Sequence, residues 1–186
     1  MFPAGPGAAF GGHGPRRRRS GDAAVLSYMR DSDSPVRRTS SGERLVVLVG
    51  LPGSGKSTWA ARQAETAISS DEMRRLLADD PTDQTIHRRV FAAMRYMARV
   101  RHEVGRRTTL IDATNLSRRE RRQWIALAGL LDCEAEAIFF DTPPEVCMAR
   151  NRGRLRVVPE EAMADMIQRL DPPMIAEGFS RVFTLR

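Results

Sequence analysis

The pattern of hydrophobic and polar positions changes at about residue 44. Beyond it, short apolar and β-branched runs alternate with longer stretches in which apolar residues recur at helical spacing. The short runs predict five strands, at 45–49, 67–69, 108–112, 135–140 and 181–185. This alternation is typical of βαβ units, whose parallel sheet is covered by helices on both faces. We therefore expect a three-layer α/β domain with a five-stranded parallel sheet.

The longer stretches predict the helices of this domain. They lie at 56–65, 72–79, 84–105, 117–130, 143–151 and 159–170. Ser117 followed by Glu120, and Thr142 followed by Glu145, match capping boxes that begin two of these helices. We assign these four polar residues to structure and not to chemistry.

Residues 1–43 lack this periodicity and are rich in Gly, Pro, Ser, Ala and Arg. Such a segment buries too little apolar surface to offset the entropy lost on ordering. We expect a disordered basic tail, followed by one folded domain at 44–186. The run Arg16–Arg19 is either a nucleic-acid contact or a solvated charge run.

Composition narrows the class of protein. The net charge of +7 favours polyanionic partners such as nucleic acid, or reflects an arginine-rich composition alone. Two cysteines and three histidines without ligand spacing argue against a disulfide framework and a zinc site. Neither an apolar run of about 18 residues nor a leader-like segment is visible, so we expect a cytoplasmic protein without a membrane span.

The segment after the first predicted strand carries the strongest motif. Gly50 to Ser57 reads GLPGSGKS and matches the phosphate-loop pattern G-x-x-x-x-G-K-[ST] between a strand and a helix. Glycines let the backbone N–H groups turn toward a phosphate, at the positive end of the following helix. We therefore expect this loop to bind a nucleoside triphosphate through Gly50, Pro52, Gly53, Ser54, Gly55, Lys56, Ser57 and Thr58.

Lys56 is the only lysine, since the other 29 of the 30 basic residues are arginine. Its compact ammonium is expected to reach the β- and γ-phosphates, where a planar guanidinium has less room. The hydroxyl of Ser57 is expected to bind Mg²⁺. An N-K-x-D element for guanine needs a second lysine, so a guanine-specific GTPase is excluded and ATP is the expected nucleotide.

Later motifs carry a resemblance to a known family. GLPGSGKSTW, SSDEMRR, LIDATNLSRRERRQW and FFDTPPEVCMARNRGRLRVVP follow one another within 50–159. In this order they resemble the kinase module of polynucleotide 5′-hydroxyl kinases, over essentially all of 45–170. The resemblance implies an adenylate-kinase-like P-loop fold, an arginine-rich lid, and transfer of phosphate from ATP to a 5′-hydroxyl.

The second predicted strand ends next to a candidate base. Asp71 lies where such folds present groups to the acceptor, and a carboxylate there accepts the proton of an attacking hydroxyl. The resemblance implies that Asp71 is the general base and that Arg74 holds an acceptor phosphate or the transferring group. In the alternative, Asp71 only caps the helix that follows.

The third predicted strand ends at Asp112, where many phosphate-loop enzymes hold the acid that orients Mg²⁺-bound water. Thr114 and Asn115 match the family's D-x-T-N element, although this chain has one residue between Asp and Thr where the phage form has none. Asp112 therefore faces either the metal or the acceptor. Asn115 either contacts the acceptor with Thr114 or only forms a turn.

The lid motif places arginines at alternate positions, 150, 152, 154 and 156. Guanidiniums on a mobile lid neutralise charge on the γ-phosphate and exclude water on closing. The resemblance singles out Arg150 and Arg154, while Arg152 and Arg156 have weaker claims. A solvated charge run is the alternative.

These observations predict a Mg²⁺-dependent kinase that acts on the 5′-hydroxyl of DNA or RNA. The first alternative is a small-molecule or sugar-nucleotide kinase of the gluconate kinase, antibiotic phosphotransferase or zeta-toxin type. The second is an ATP-binding regulatory or nucleic-acid-binding module without turnover. Since the D-x-D-x-T pattern of the accompanying phosphatase is lacking, we expect no 3′-phosphatase activity.

Overall fold

A computed structural model of the chain describes residues 42–154 and 156–186. The expected tail therefore lies outside the described residues, apart from Gly42 and Glu43, and so does Leu155 in the expected lid.

The sheet has five parallel strands in the order β2-β3-β1-β4-β5. They are β1 (Arg44–Val49), β2 (Ala67–Ser69), β3 (Thr108–Asp112), β4 (Glu134–Phe140) and β5 (Arg181–Leu185). The predicted strands are confirmed to within one residue at each end. Their agreement follows from burial, because β1 and β4 are buried along almost their whole length and are built mainly from apolar residues, with Glu136 as a buried exception in β4.

The helices of the described residues also follow the predicted order. They are α1 (Lys56–Ala60), α2 (Ser70–Ala78), α3 (His87–Glu103), α4 (Arg118–Leu130), α5 (Pro144–Arg152) and α6 (Glu160–Arg169), with a 3₁₀ turn at Ile175–Glu177. None of the helices in the described part of the chain is long and apolar enough to cross a bilayer.

Two local predictions about helices were wrong. Helix α1 ends at Ala60 and not at 65, because the N–H groups of Arg62 and Gln63 bond to carbonyls three residues back and tighten the turn. The hydroxyl of Thr142 does not cap α5. It donates instead to the carbonyl oxygen of Ser54, at 3.1 Å, and α5 begins with prolines.

The core fixes the sheet against its helices. Helix α3 packs on β2 and β3, and α4 packs on β1 and β4. The largest apolar cluster lies between them and includes Val47, Met94, Ile111, Trp124 and Ala137. Because parallel strands all end at one edge of the sheet, the segments after β1, β2, β3 and β4 converge there.

Candidate active site

The loop after β1 lies against helix α5. Gly53 and Gly55 have φ angles of 84° and 97°, in the left-handed region that favours glycine. A Cβ atom on Gly53 would lie 2.6 Å from the carbonyl oxygen of Cys147. Only glycine therefore allows this close contact between the loop and α5.

The same loop presents a group of backbone donors. Within residues 42–154 and 156–186, the N–H groups of Gly53, Gly55, Lys56 and Ser57 donate to no protein acceptor. They lie together where α1 begins, so their partial positive charges add to that of the helix end. This arrangement fits a bound phosphate chain.

Lys56 points back into the loop. Its Nζ donates to the carbonyl oxygens of Gly50 and Leu51, at 2.8 and 2.7 Å, and to Oγ of Ser54 at 3.2 Å. Burial lowers the pKa of this amine to about 8, although the Asp112 carboxylate opposes the shift. The ammonium thus has neutral acceptors as direct partners, and anionic oxygens at the loop would stabilise its charge.

Ser57 and Asp112 form the second part of the site. Ser57, on the phosphate loop, lies beside the carboxylate of Asp112, which is buried at the end of β3. Burial raises the pKa of Asp112, while Ser57 and the Lys56 charge act in the opposite direction. A hydroxyl beside a carboxylate is a donor set that fits Mg²⁺, and here the hydroxyl comes from the phosphate loop.

Asp71 lies in the first turn of α2. The helix is capped by Ser69, whose side chain accepts the N–H of Glu72, so Asp71 is not the cap. Oδ1 of Asp71 accepts hydrogen bonds from Nη1 of Arg156, at 2.7 Å, and from Nη1 of Arg74, at 3.3 Å. Among the described residues, Oδ2 of this half-exposed carboxylate accepts no hydrogen bond.

Arg74, which binds the Asp71 carboxylate, is held in place by several further contacts. It is buried, and it donates to the carbonyl oxygen of Ser70 at 3.2 Å. Its Nη2 atom lies 3.4 Å from both Oε1 of Gln84 and Nδ1 of His87. Burial and the charge of Arg74 lower the pKa of His87, which favours the neutral ring as acceptor. No motif in the sequence pointed to Gln84 or His87.

The loop after β3 supports the phosphate loop. Asn115 is buried with a φ angle of 47°, and its amide nitrogen donates to the carbonyl oxygens of Leu48 and Ala113. Its Oδ1 accepts the indole N–H of Trp124 at 2.9 Å. The carbonyl oxygen of Thr114 accepts the N–H of Gly50 at 3.0 Å.

The placement of Asn115 does not support the expected contact between its side chain and the acceptor. Both amide hydrogens are used inside the protein, and the side chain is directed into the core. In this structure the turn interpretation describes Asn115 better.

The lid arginines divide among different partners. Nη1 of Arg150 donates to the carbonyl oxygen of Gly53 at 3.3 Å, and Arg152 pairs with Glu160 on the surface. Arg154 is exposed, and its charge contributes to the lowered pKa of Lys56. Arg156, which had one of the weaker claims among the lid arginines, forms an ion pair with Asp71, the candidate base.

The remaining loop residues differ in exposure. Within the loop Pro52 and Ser54 are buried, whereas Ser57 and Thr58 lie on the exposed face of α1. The structure thus brings Lys56, Ser57, Asp112 and Arg154 within electrostatic range of one another, with the Asp71 charge acting on Lys56 as well.

Comparison with known proteins identifies a family. Residues 45–173 match the protein family described as an AAA domain. The bifunctional polynucleotide phosphatase/kinase of Schizosaccharomyces pombe is 27% identical over 150 residues, which cover 78% of this chain and 34% of that protein. Transcription factor bHLH140 of Arabidopsis thaliana is 31% identical over 147 residues, which cover 74% of this chain. The chain spans only 15% of that second relative.

Solved structures share the fold. A chain of the Pnkp1/Rnl/Hen1 RNA repair complex matches with a TM-score of 0.61 at 24% identity, covering 72% of this chain and 46% of that one. A gluconokinase from Sinorhizobium meliloti 1021 matches with a TM-score of 0.53 at 19% identity, covering 80% and 83%. The predicted P-loop kinase-like fold and the resemblance to polynucleotide kinases are confirmed.

Proposed function

The chain belongs to the AAA-domain family, and on that premise we propose that it is a kinase that transfers the γ-phosphate of ATP to the 5′-hydroxyl of DNA or RNA. The observation that carries the proposal is the arrangement of the Asp71 carboxylate. Two arginines hold one oxygen atom, the other oxygen accepts no hydrogen bond from the described residues, and the Asp71 charge acts on Lys56 of the phosphate loop.

The nucleotide half of the reaction belongs to the loop and the lid. The free N–H groups and the Lys56 ammonium bind the phosphate oxygens, and Arg150 and Arg154 neutralise charge from the lid. Ser57 and Asp112 are the residues that would hold Mg²⁺, which supplies positive charge beside the β- and γ-phosphates.

The acceptor half belongs to Asp71. Its free Oδ2 accepts the proton of the attacking hydroxyl while Arg74 and Arg156 hold Oδ1. A bond forms between the acceptor oxygen and the γ-phosphorus, the bond to the bridging oxygen breaks, and ADP leaves with that oxygen's electron pair.

A polynucleotide acceptor is supported by the polynucleotide kinase relative and by the basic composition of the chain. The gluconokinase similarity supports the alternative, a small-molecule kinase, since it covers most of both chains. A module without turnover is the third candidate, and one relative bears the name of a transcription factor. The simultaneous presence of loop lysine, carboxylates and lid arginines argues against that last candidate.

The test is transfer from γ-labelled ATP with Mg²⁺ to 5′-hydroxyl oligonucleotides and, in parallel, to a panel of sugars and small alcohols. Labelled oligonucleotide is the expected result. Label on a sugar and on no oligonucleotide would show that the acceptor is a small molecule and not a polynucleotide. Lys56-dependent transfer to any acceptor would exclude a module without turnover.

Asp71→Asn tests the base. We expect ATP binding to persist and kcat to fall by about 10²- to 10⁴-fold, the contribution of a general base. Glu72→Gln is the matched control, because Glu72 is the next acid on α2 and pairs with Arg75 on the surface. If Asp71→Asn retains wild-type kcat, Asp71 is not the base.

A further inference from the structure

Helix α3 carries an unusual distribution of charge. Between Asp83 and Glu103 the chain has five arginines and no acidic residue. Exposed helices usually mix both signs, because opposite charges four residues apart stabilise them and like charges destabilise them. Arg95 and Arg99 stand four residues apart, so this helix keeps a repulsion that a single acidic substitution would remove.

Three of these arginines share one side of α3. Arg88, Arg95 and Arg99 are spaced by seven and four residues, which places them along a single line on the helix. Arg101 differs, because it points toward β3 and bonds to Thr108 and Thr109. None of the three pairs with a carboxylate in the described part of the chain.

The line of arginines faces helix α4. Arg95 donates to Oε1 of Gln123, and the rings of Phe91 and Trp124 lie 6.0 Å apart. Arg119, one turn before Gln123, is exposed on the same face of α4. We call Arg88, Arg95, Arg99 and Arg119 the arginine stripe.

The acid that follows Arg119 on α4 is already engaged. Glu120 pairs with Arg169 at 3.3 Å, and its other oxygen accepts the N–H of Leu116 at 2.7 Å. Arg121, the buried neighbour of Glu120, is bound to Glu177. Glu103, one turn after Arg99, is the one acid on α3, and no arginine of the stripe forms an ion pair with it or with any other carboxylate among the described residues.

One end of the stripe meets the candidate acceptor site. Arg88 directly follows His87, whose Nδ1 lies 3.4 Å from Arg74, and Arg74 binds Asp71. From Arg88 to Arg99 the helix rises about 16 Å. Along the axis of a stacked, helical strand one phosphate recurs about every 3.4 Å, so this length corresponds to about five phosphates of such a strand.

We infer that the arginine stripe is a track for the phosphate backbone of a single-stranded polynucleotide whose 5′ end lies at Asp71. The inference rests on the proposed kinase function and names the part of the acceptor that lies beyond the reacting nucleotide. Guanidiniums suit this role because they bind phosphate oxygens with two donors at once.

The test varies acceptor length. For the wild-type protein, KM falls from a nucleoside 3′-phosphate to an oligonucleotide of about six to eight nucleotides and then stays constant. In the triple variant R88Q/R95Q/R99Q, KM for the long acceptor rises about tenfold, while the KM for the nucleoside 3′-phosphate stays within about twofold. The control variant R62Q/R106Q/R107Q removes three exposed arginines elsewhere and keeps the wild-type length dependence.

Binding without turnover gives a second measurement. Fluorescence anisotropy measures the slope of log affinity against log salt concentration. In the stripe variant this negative slope becomes shallower by about 2, as expected for three lost contacts with a single strand. The control variant keeps the wild-type slope. Thermal unfolding of each variant verifies that the fold persists.

Two results would overturn the inference. One is the same loss of oligonucleotide affinity in the stripe and control variants, which would mean that the overall positive charge binds the oligonucleotide without a specific track. The other is loss of binding to anionic lipid vesicles with unchanged oligonucleotide affinity, which would make the stripe a membrane contact. Failure of the kinase proposal looks different, because the wild-type protein itself would then phosphorylate no oligonucleotide of any length.

Discussion

The buried amine of Lys56 links nucleotide affinity to pH. In the protein without nucleotide its pKa is about 8, and phosphate oxygens beside it favour the protonated form. Above about pH 8, binding must therefore take up a proton, and affinity falls by up to about tenfold per pH unit. Below about pH 7 the amine is already protonated, so its contribution no longer changes.

Calorimetric titration with a non-hydrolysable ATP analogue measures this effect. Between about pH 6.5 and 9.5, buffers of different ionisation enthalpy reveal the proton uptake. Lys56→Met is the control, since it should bind weakly and without this slope. Constant affinity across the range would contradict the prediction.

Arg156 is expected to position the candidate base. Its 2.7 Å bond to Oδ1 of Asp71 fixes which oxygen remains free. Arg156→Ala should lower kcat by roughly ten- to hundredfold with little change in the KM for ATP, because orientation is lost while the loop is intact. Steady-state kinetics with both substrates measures the two constants.

Arg152→Ala is the matched control, because Arg152 pairs with Glu160 on the surface of the same segment. It should retain wild-type kinetics, and Arg156→Lys should restore part of kcat. A higher KM for ATP with unchanged kcat would instead assign Arg156 to the nucleotide.

Site residues could be predicted where they lie close together in the sequence, and not where distant residues come into contact. Lys56 and Ser57 belong to one local motif, and Asp112 ends a strand that the apolar pattern had placed. The contact between Arg156 and Asp71 joins residues 85 positions apart, and no local pattern encodes it. Asn115 was ambiguous, because the same amide serves a buried turn or a ligand and only its burial distinguishes them.

At the scale of elements, the phosphate loop depends on its contact with α5. Gly53→Ala should weaken ATP binding by more than about tenfold, because a Cβ 2.6 Å from the carbonyl oxygen of Cys147 forces the loop to move. The same methyl group also strains the left-handed backbone by about 1 kcal/mol. Calorimetric titration and urea unfolding separate the two effects.

Gly105→Ala is the control for backbone strain alone. Gly105 has a φ angle of 74°, but a Cβ there meets nothing within 4 Å. This variant should lose stability and keep ATP affinity. Equal ATP affinity in both variants would show that the steric contact is unimportant.

Elements were predictable wherever burial alone determined the residue type. The strands agree almost to the residue because each is a short run rich in apolar or β-branched residues. Helix ends depend on which groups take the terminal N–H and C=O bonds, and the sequence shows only candidates for these roles. Thr142 matched a cap pattern but bonds to Ser54, a residue far away in sequence.

At the scale of the whole molecule, one buried ion pair ties the C-terminal segment to α4. Both side chains are almost completely buried, and Arg121 binds both carboxylate oxygens of Glu177 and the carbonyl oxygens of Asn115, Leu116 and Asp171. Glu177→Ala should lower the free energy of unfolding by about 3 to 5 kcal/mol, because it leaves the buried Arg121 charge with only the half-exposed carboxylate of Asp171, at 3.8 Å, as its partner.

Urea unfolding tests this loss. Glu160→Ala is the control, since it removes a glutamate from an exposed pair with Arg152 and should change stability little. If the two variants lose the same stability, the buried pair does not hold the C-terminal segment.

The bond between Trp124 and Asn115 has a practical consequence. The chain has two tryptophans, and they sample different environments: Trp124 is fully buried below the turn that supports Gly50, whereas Trp59 on α1 is half-buried and lies edge-on to Phe140. Their emission therefore offers an intrinsic optical reporter. Replacing one indole at a time by phenylalanine would separate a signal from the phosphate loop from a signal from the core, without an attached dye.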